Sequence, residues 1–141
     1  FHINHIYYYA DALALSIIGE SRAQSILPIQ NAENNGLIYS LHADQPMFES
    51  NPIHLIHTAV NRKTRKGNLI GEKELISVES ALKALTINAA WQMNMEEKIG
   101  TISVGKYADF VVLDKNPLVI PSEEIININV LRTIVNGKQI Y

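Results

Sequence analysis

Leu37-Ile38-Tyr39-Ser40-Leu41-His42-Ala43-Asp44-Gln45-Pro46 is the stretch on which the fold turns. Leu37 to His42 form a compact apolar run, with Asn34-Asn35-Gly36 before it and Asp44-Gln45-Pro46 after it as turn text. Such a run between turns suits a buried strand of a parallel sheet. In parallel α/β sheets and barrels, catalytic groups are presented at the C-terminal strand ends, which singles out Asp44. Side chains alternate along a strand, so His42 and Asp44 share a face if the extended chain persists that far. The local pattern leaves two roles open for Asp44, a turn cap before the Gln45-Pro46 pair or a catalytic carboxylate. His42 is correspondingly either a core histidine or part of a site.

Upstream, Phe1 to Tyr9 is rich in β-branched and aromatic residues and predicts a strand ending near His5, then a turn and a helix over Asp11 to Ile18. On that strand His2 and His5, three apart, face opposite sides and cannot share a metal without a bulge. His5, nearer the strand end and followed by Tyr7-Tyr8-Tyr9, is the better candidate for a substrate contact; the alternative is a histidine packed among tyrosines. A short helix and a loop are expected over Ser21 to Gly36.

Downstream, Asn51-Pro52 is a helix start, Asn capping the free amides and Pro preorganised at the first helical position, and the helix should run to about Arg62. After a polar loop over 62–75, Ser77-Val78-Glu79-Ser80 opens a helix carrying Ala81, Leu82 and Leu85, and a shorter helix is expected over Asn88 to Met93. Gly100, Gly105 and Phe110-Val111-Val112-Leu113 announce strands. Val130 to Val135 and Lys138 to Tyr141, joined by Asn136-Gly137, carry a strong hairpin signal, because that pair tolerates the positive φ of a type I′ turn. The order is thus alternating β/α, then all β.

Composition narrows the function classes. The chain has 141 residues, about one domain's worth, with 12 Lys+Arg against 14 Asp+Glu and a net charge of −2. That balance does not favour nucleic acid, and Arg62-Lys63-Thr64-Arg65-Lys66 reads as a solvated helix end. No apolar run approaches the ~20 residues of a membrane span. Cys is absent, which removes thiol chemistry and fits a reducing cytoplasm. His54 and His57 share a helix face but have no third ligand at a supporting spacing, so helix packing is the simpler account. Gly100 to Lys106 matches G-x4-G-K, yet Tyr107 stands where a phosphate loop needs Ser or Thr, and strand text follows where it needs a helix. Two glycine turns around a short strand are expected there. The chain opens at Phe1, without Met or signal-peptide text, and reads as cut from something longer.

Lys98-Ile99-Gly100-Thr101-Ile102-Ser103-Val104-Gly105-Lys106-Tyr107-Ala108-Asp109-Phe110-Val111-Val112-Leu113-Asp114 closely resembles the C-terminal signature of the amidohydrolase superfamily of metal-dependent hydrolases. Ser77 to Ala90 looks like a helix of that family, and Leu41 to Gly67 resembles the segment after barrel strand eight in its amidohydrolase-3 branch, near the N-substituted formamide deformylase-like proteins. The NHIYYYAD text has a counterpart there too.

The resemblance implies an α/β fold: residues 1–94 as the last strands and helices of a (β/α)8 barrel, and 95–141 as the C-terminal strands of a small β-sandwich. It implies a divalent metal, zinc first, in the full-length enzyme. Asp44 would then be the strand-eight aspartate, a metal ligand that takes a proton from the activated water and passes it to the leaving amine. His5 would contact the substrate carbonyl. The remaining family ligands lie upstream of anything in this chain, so it is expected to hold no metal tightly and to be inactive alone. The expected substrate is a small amide or formamide, with no nucleic-acid or membrane partner. The rival reading is a noncatalytic module that associates with copies of itself through exposed apolar faces.

Overall fold

Phe1 lies beside the 40–42 segment and gives it sheet character. The Phe1 nitrogen donates to Ser40 O at 2.7 Å, and His42 N donates to Phe1 O at 2.9 Å. One residue bonded to both neighbours of another is the parallel pattern, and it pairs Phe1 with Leu41. The computed structural model describes the backbone of residues 1–141 and every side chain except that of Leu15. Among the described residues no longer ladder forms along 37–44. The segment is extended and buried on one face only, with Tyr39 and Leu41 inside and Leu37 and Ile38 exposed.

The strand expected over Phe1–His5 is corrected: helix α1 begins at Asn4 and runs to Ala12. Ile3, Ile6 and Ala10 are fully buried, a stripe at i, i+3 and i+7 that has the helical period. Composition favoured a strand, but Tyr8 and Tyr9 stay largely exposed while the small and aliphatic residues pack. A π-helical turn over Leu13–Ile17 and helices α2 (Glu20–Ala23) and α3 (Ile29–Asn34) follow.

Helix α4 (Pro52–Asn61) forms as its sequence predicts. Asn51 Oδ1 accepts from Ile53 N at 3.0 Å and His54 N at 3.2 Å. Its buried residues Ile53, Leu55, Ile56 and Ala59 form the centre of a core shared with Ile6, Ile29 and Ile125. Ser77 Oγ accepts from Ser80 N at 3.0 Å and caps α5 (Val78–Leu85), and α6 (Ile87–Gln92) follows.

The basic run at the end of α4 is corrected at one residue. Arg62 is fully buried, and its guanidinium donates to Ile70 O (2.8 Å), Ile26 O (2.8 Å) and Leu27 O (3.2 Å). Lys63, Arg65 and Lys66 are exposed as expected. Burial lowers the Arg62 pKa to about 10, with Glu74 working against the shift.

The last third is a three-stranded antiparallel sheet, order β1-β2-β3, from β1 (Phe110–Leu113), β2 (Val130–Val135) and β3 (Lys138–Gln139). Asn136 and Gly137 take φ of 48° and 77°, both left-handed, as a type I′ turn requires. The short strand expected between Gly100 and Gly105 does not form; the loop is tied back by Lys106 Nζ, which donates to Glu96 O.

Candidate functional site

Asp44 stands where the extended segment ends, and both readings of it have structural content. Its φ is +66°, a left-handed turn conformation that Asp tolerates, and its carbonyl accepts from Phe48 N at 3.2 Å. The main chain therefore makes the turn while the carboxylate remains free to act elsewhere. The preceding carbonyl, Ala43 O, is held by Asn4 Nδ2 at 3.1 Å, which fixes the end of the segment to α1.

The carboxylate faces two histidines. Asp44 Oδ2 is 3.4 Å from His2 Nδ1. That nitrogen is itself buried and makes no hydrogen bond, although the His2 side chain as a whole is 45% exposed. At 3.4 Å the pair is longer than an ordinary N–H···O bond. His5 N donates to His2 O at 3.1 Å, an i to i+3 turn that leads from His2 into α1. Their rings stack with centroids 5.6 Å apart and 21° between planes. The expectation that His2 and His5 face opposite sides is thereby corrected, because the turn into α1 replaces the expected strand and brings i and i+3 to one side.

One ligand atom from each of His2, His5 and Asp44 can be chosen so that all three lie within 4.8 Å of one another. Among the described residues this is the one such group of three or more. Two imidazoles and a carboxylate form a donor set suited to zinc and neighbouring first-row divalent ions. The unpartnered Nδ1 of His2 beside an anionic oxygen is what a cation between them would satisfy, so the residues present fit a metal.

Aromatic rings flank the group. His5 meets Phe48 at 5.6 Å and Tyr9 at 5.6 Å, while Tyr8 stacks on Phe48 at 4.8 Å. His42, which is exposed, lies against His2 with centroids 4.4 Å apart, so His42 and Asp44 both approach His2. His54 is engaged elsewhere: its Nδ1 lies 3.1 Å from Asn4 Oδ1, and Tyr7 meets its ring edge-on at 4.6 Å. Burial lowers its pKa, opposed by Glu49. Burial, then His54, pushes His57 down to about 4. His54 thus packs between α1 and α4.

The proximity of His2 to His5 and Asp44 is what the sequence did not reveal. The helical spacing of Ile3, Ile6 and Ala10 was the signal that could have found it. A cleft of about 420 Å³ beside Leu85, Ala90, Ile99 and Phe110 shares no residue with the group.

Comparison with known proteins now bears on this geometry. The model described as the amidohydrolase family matches residues 1–141. The chain is 34% identical over 139 residues to Protein LONG AFTER FAR-RED 3 of Arabidopsis thaliana, covering 98% of this chain and 24% of that protein. It is 32% identical over 112 residues to an N-substituted formamide deformylase of Arthrobacter pascens, covering 79% and 21%. Among solved structures, an uncharacterized metal-dependent hydrolase of Pyrococcus horikoshii superposes with a TM-score of 0.70 at 22% identity, over 86% of this chain and 25% of that one, a likeness of fold. The chain spans about a quarter of the length of the curated relatives it matches.

Proposed function

This chain belongs to the amidohydrolase family, and from that premise we propose that it forms the C-terminal part of an enzyme hydrolysing non-peptide carbon–nitrogen bonds in amides or formamides. On this reading residues 1–94 complete a (β/α)8 barrel and 95–141 supply strands of a β-sandwich. The observation that carries the reading is Asp44 at the end of the 37–43 segment, its carboxylate 3.4 Å from the buried, unpartnered nitrogen of His2.

A bound divalent cation would polarise the substrate carbonyl and make water acidic enough to attack near neutral pH. Asp44 would help hold the cation, and its carboxylate would take a proton from the attacking water and deliver it to the departing amine nitrogen. His5, a member of the same group, would contact the substrate carbonyl. The rings of Phe48, Tyr8 and Tyr9 form an apolar side to this space. Zinc is the expected ion and a small amide the expected substrate, acted on in the cytoplasm without nucleic acid. Among the described residues no helix is long and apolar enough to cross a membrane.

The test is formate release from an N-substituted formamide by the full-length protein, before and after removal of metal by a chelator. Metal-dependent release supports the proposal; a fully metallated protein inactive on a panel of amides and formamides speaks against it. A second reading, association with other copies as a noncatalytic module, draws on the exposed Ile102, Val104, Val119 and Tyr141. Sedimentation of the full-length protein separates the two, since a monomer with hydrolase activity contradicts the module.

A further inference from the structure

We propose that His2, His5 and Asp44 form a three-ligand site that holds a divalent first-row metal ion, zinc first, on the residues of this chain alone. The inference rests on Asp44 being a metal-binding carboxylate, as proposed above. It adds two imidazoles to the single ligand that sequence resemblance assigns to this chain, and it gives His5 the place of a ligand.

Four observations converge. The donor atoms of the three residues lie within 4.8 Å of one another. Ligands about 2.1 Å from a tetrahedral metal sit about 3.4 Å apart, and His2 Nδ1 to Asp44 Oδ2 is 3.4 Å. His2 Nδ1 is buried and without a hydrogen-bond partner, a condition that ordinary packing leaves costly and a metal removes. The scaffold is fixed on both sides, by the turn bond from His5 N to His2 O at the start of α1 and by the Asn4 to Ala43 bond beside Asp44.

The donor chemistry sets selectivity. Two neutral imidazoles and one carboxylate favour Zn²⁺ or Co²⁺ over Mg²⁺ and Ca²⁺, which prefer oxygen. Three protein ligands also leave a coordination position for water or substrate.

The experiment is titration of the metal-stripped 141-residue chain with Zn²⁺ by calorimetry, and with Co²⁺ by visible absorption. One equivalent of each is expected, with no uptake of Mg²⁺. His2→Ala and His5→Ala should each weaken binding by more than the roughly 10–100-fold that loss of an outer-shell group costs. His57→Ala should leave it unchanged. Circular dichroism checks the fold of each variant, and His5→Gln, which keeps the side-chain bulk, replaces His5→Ala if that variant unfolds. Loss of binding in Asp44→Asn with retention in both histidine variants overturns this inference and leaves the proposed role of Asp44 standing. Full binding in all three variants overturns both. A wild-type chain that takes up no Zn²⁺ overturns the inference alone.

Discussion

Asn4 and His54, fifty residues apart, meet at 3.1 Å between Oδ1 and Nδ1. Asn4 is 1% exposed and uses its amide nitrogen on Ala43 O, so its oxygen must accept and His54 Nδ1 must carry the proton. One buried amide thus connects α1, α4 and the residue before Asp44. Asn4→Ala removes both bonds and leaves Ala43 O without its donor. Stability should fall by about 2–3 kcal/mol in urea unfolding, and Zn²⁺ affinity should fall with it because the Asp44 turn is released. Asn4→Asp should be no milder, since an oxygen would then face the Ala43 carbonyl.

Arg62 shows a burial that charge patterning does not foretell. Arg62→Met leaves three carbonyls without their donor and should cost more than about 3 kcal/mol in the same measurement. Arg62→Lys should recover only part of that loss, because one ammonium cannot reproduce the planar fork that reaches Ile26, Leu27 and Ile70 together.

His57 gives the fold a pH dependence with a fixed sign. Burial holds its folded pKa at about 4, against the ordinary 6.5, so between those values the unfolded chain binds the extra proton. Stability therefore rises with pH across that window and is lost as pH falls from about 6.5 toward 4. Urea midpoints at pH 7, 5.5 and 4.5 should fall in that order, and His57→Asn should flatten the trend.

Gly100 and Gly105 share a φ of +91° but not their surroundings. A Cβ at Gly100 would lie 2.9 Å from both Ala90 Cβ and Ile87 Cα, while one at Gly105 meets nothing within 4 Å. Gly105→Ala should cost only the backbone strain of about 1 kcal/mol. Gly100→Ala adds overpacking against α6 and should cost about 2 kcal/mol more, read as the difference between their thermal unfolding transitions.

Local signals were legible in this sequence and tertiary ones were not. Asn51-Pro52, Ser77 and Asn136-Gly137 each encode their structure within three or four residues, and α4, α5 and the final hairpin form where they indicate. Phe1 to Tyr9 shows how composition misleads: its tyrosines favour a strand, while the spacing of three buried residues makes a helix. That error hid the approach of His2 to His5, since on a strand the two point apart and in the turn that leads into α1 they meet. The buried place of Arg62 had no sequence signature because its partners are main-chain carbonyls, which every residue carries. The approach of His2 to Asp44 depends on Phe1 pairing with Leu41, a contact between segments forty residues apart that no local pattern announces.

Asp44→Asn in the full-length protein tests the central claim most directly. Asn tolerates the left-handed φ at this position, so the turn should survive while the anionic ligand and proton acceptor are lost. The account predicts a folded protein with an unchanged circular dichroism spectrum and formamide hydrolysis reduced by at least about a thousandfold, which corresponds to roughly 4 kcal/mol of barrier. A folded Asp44→Asn protein that hydrolyses the same substrate at near the original rate would contradict it.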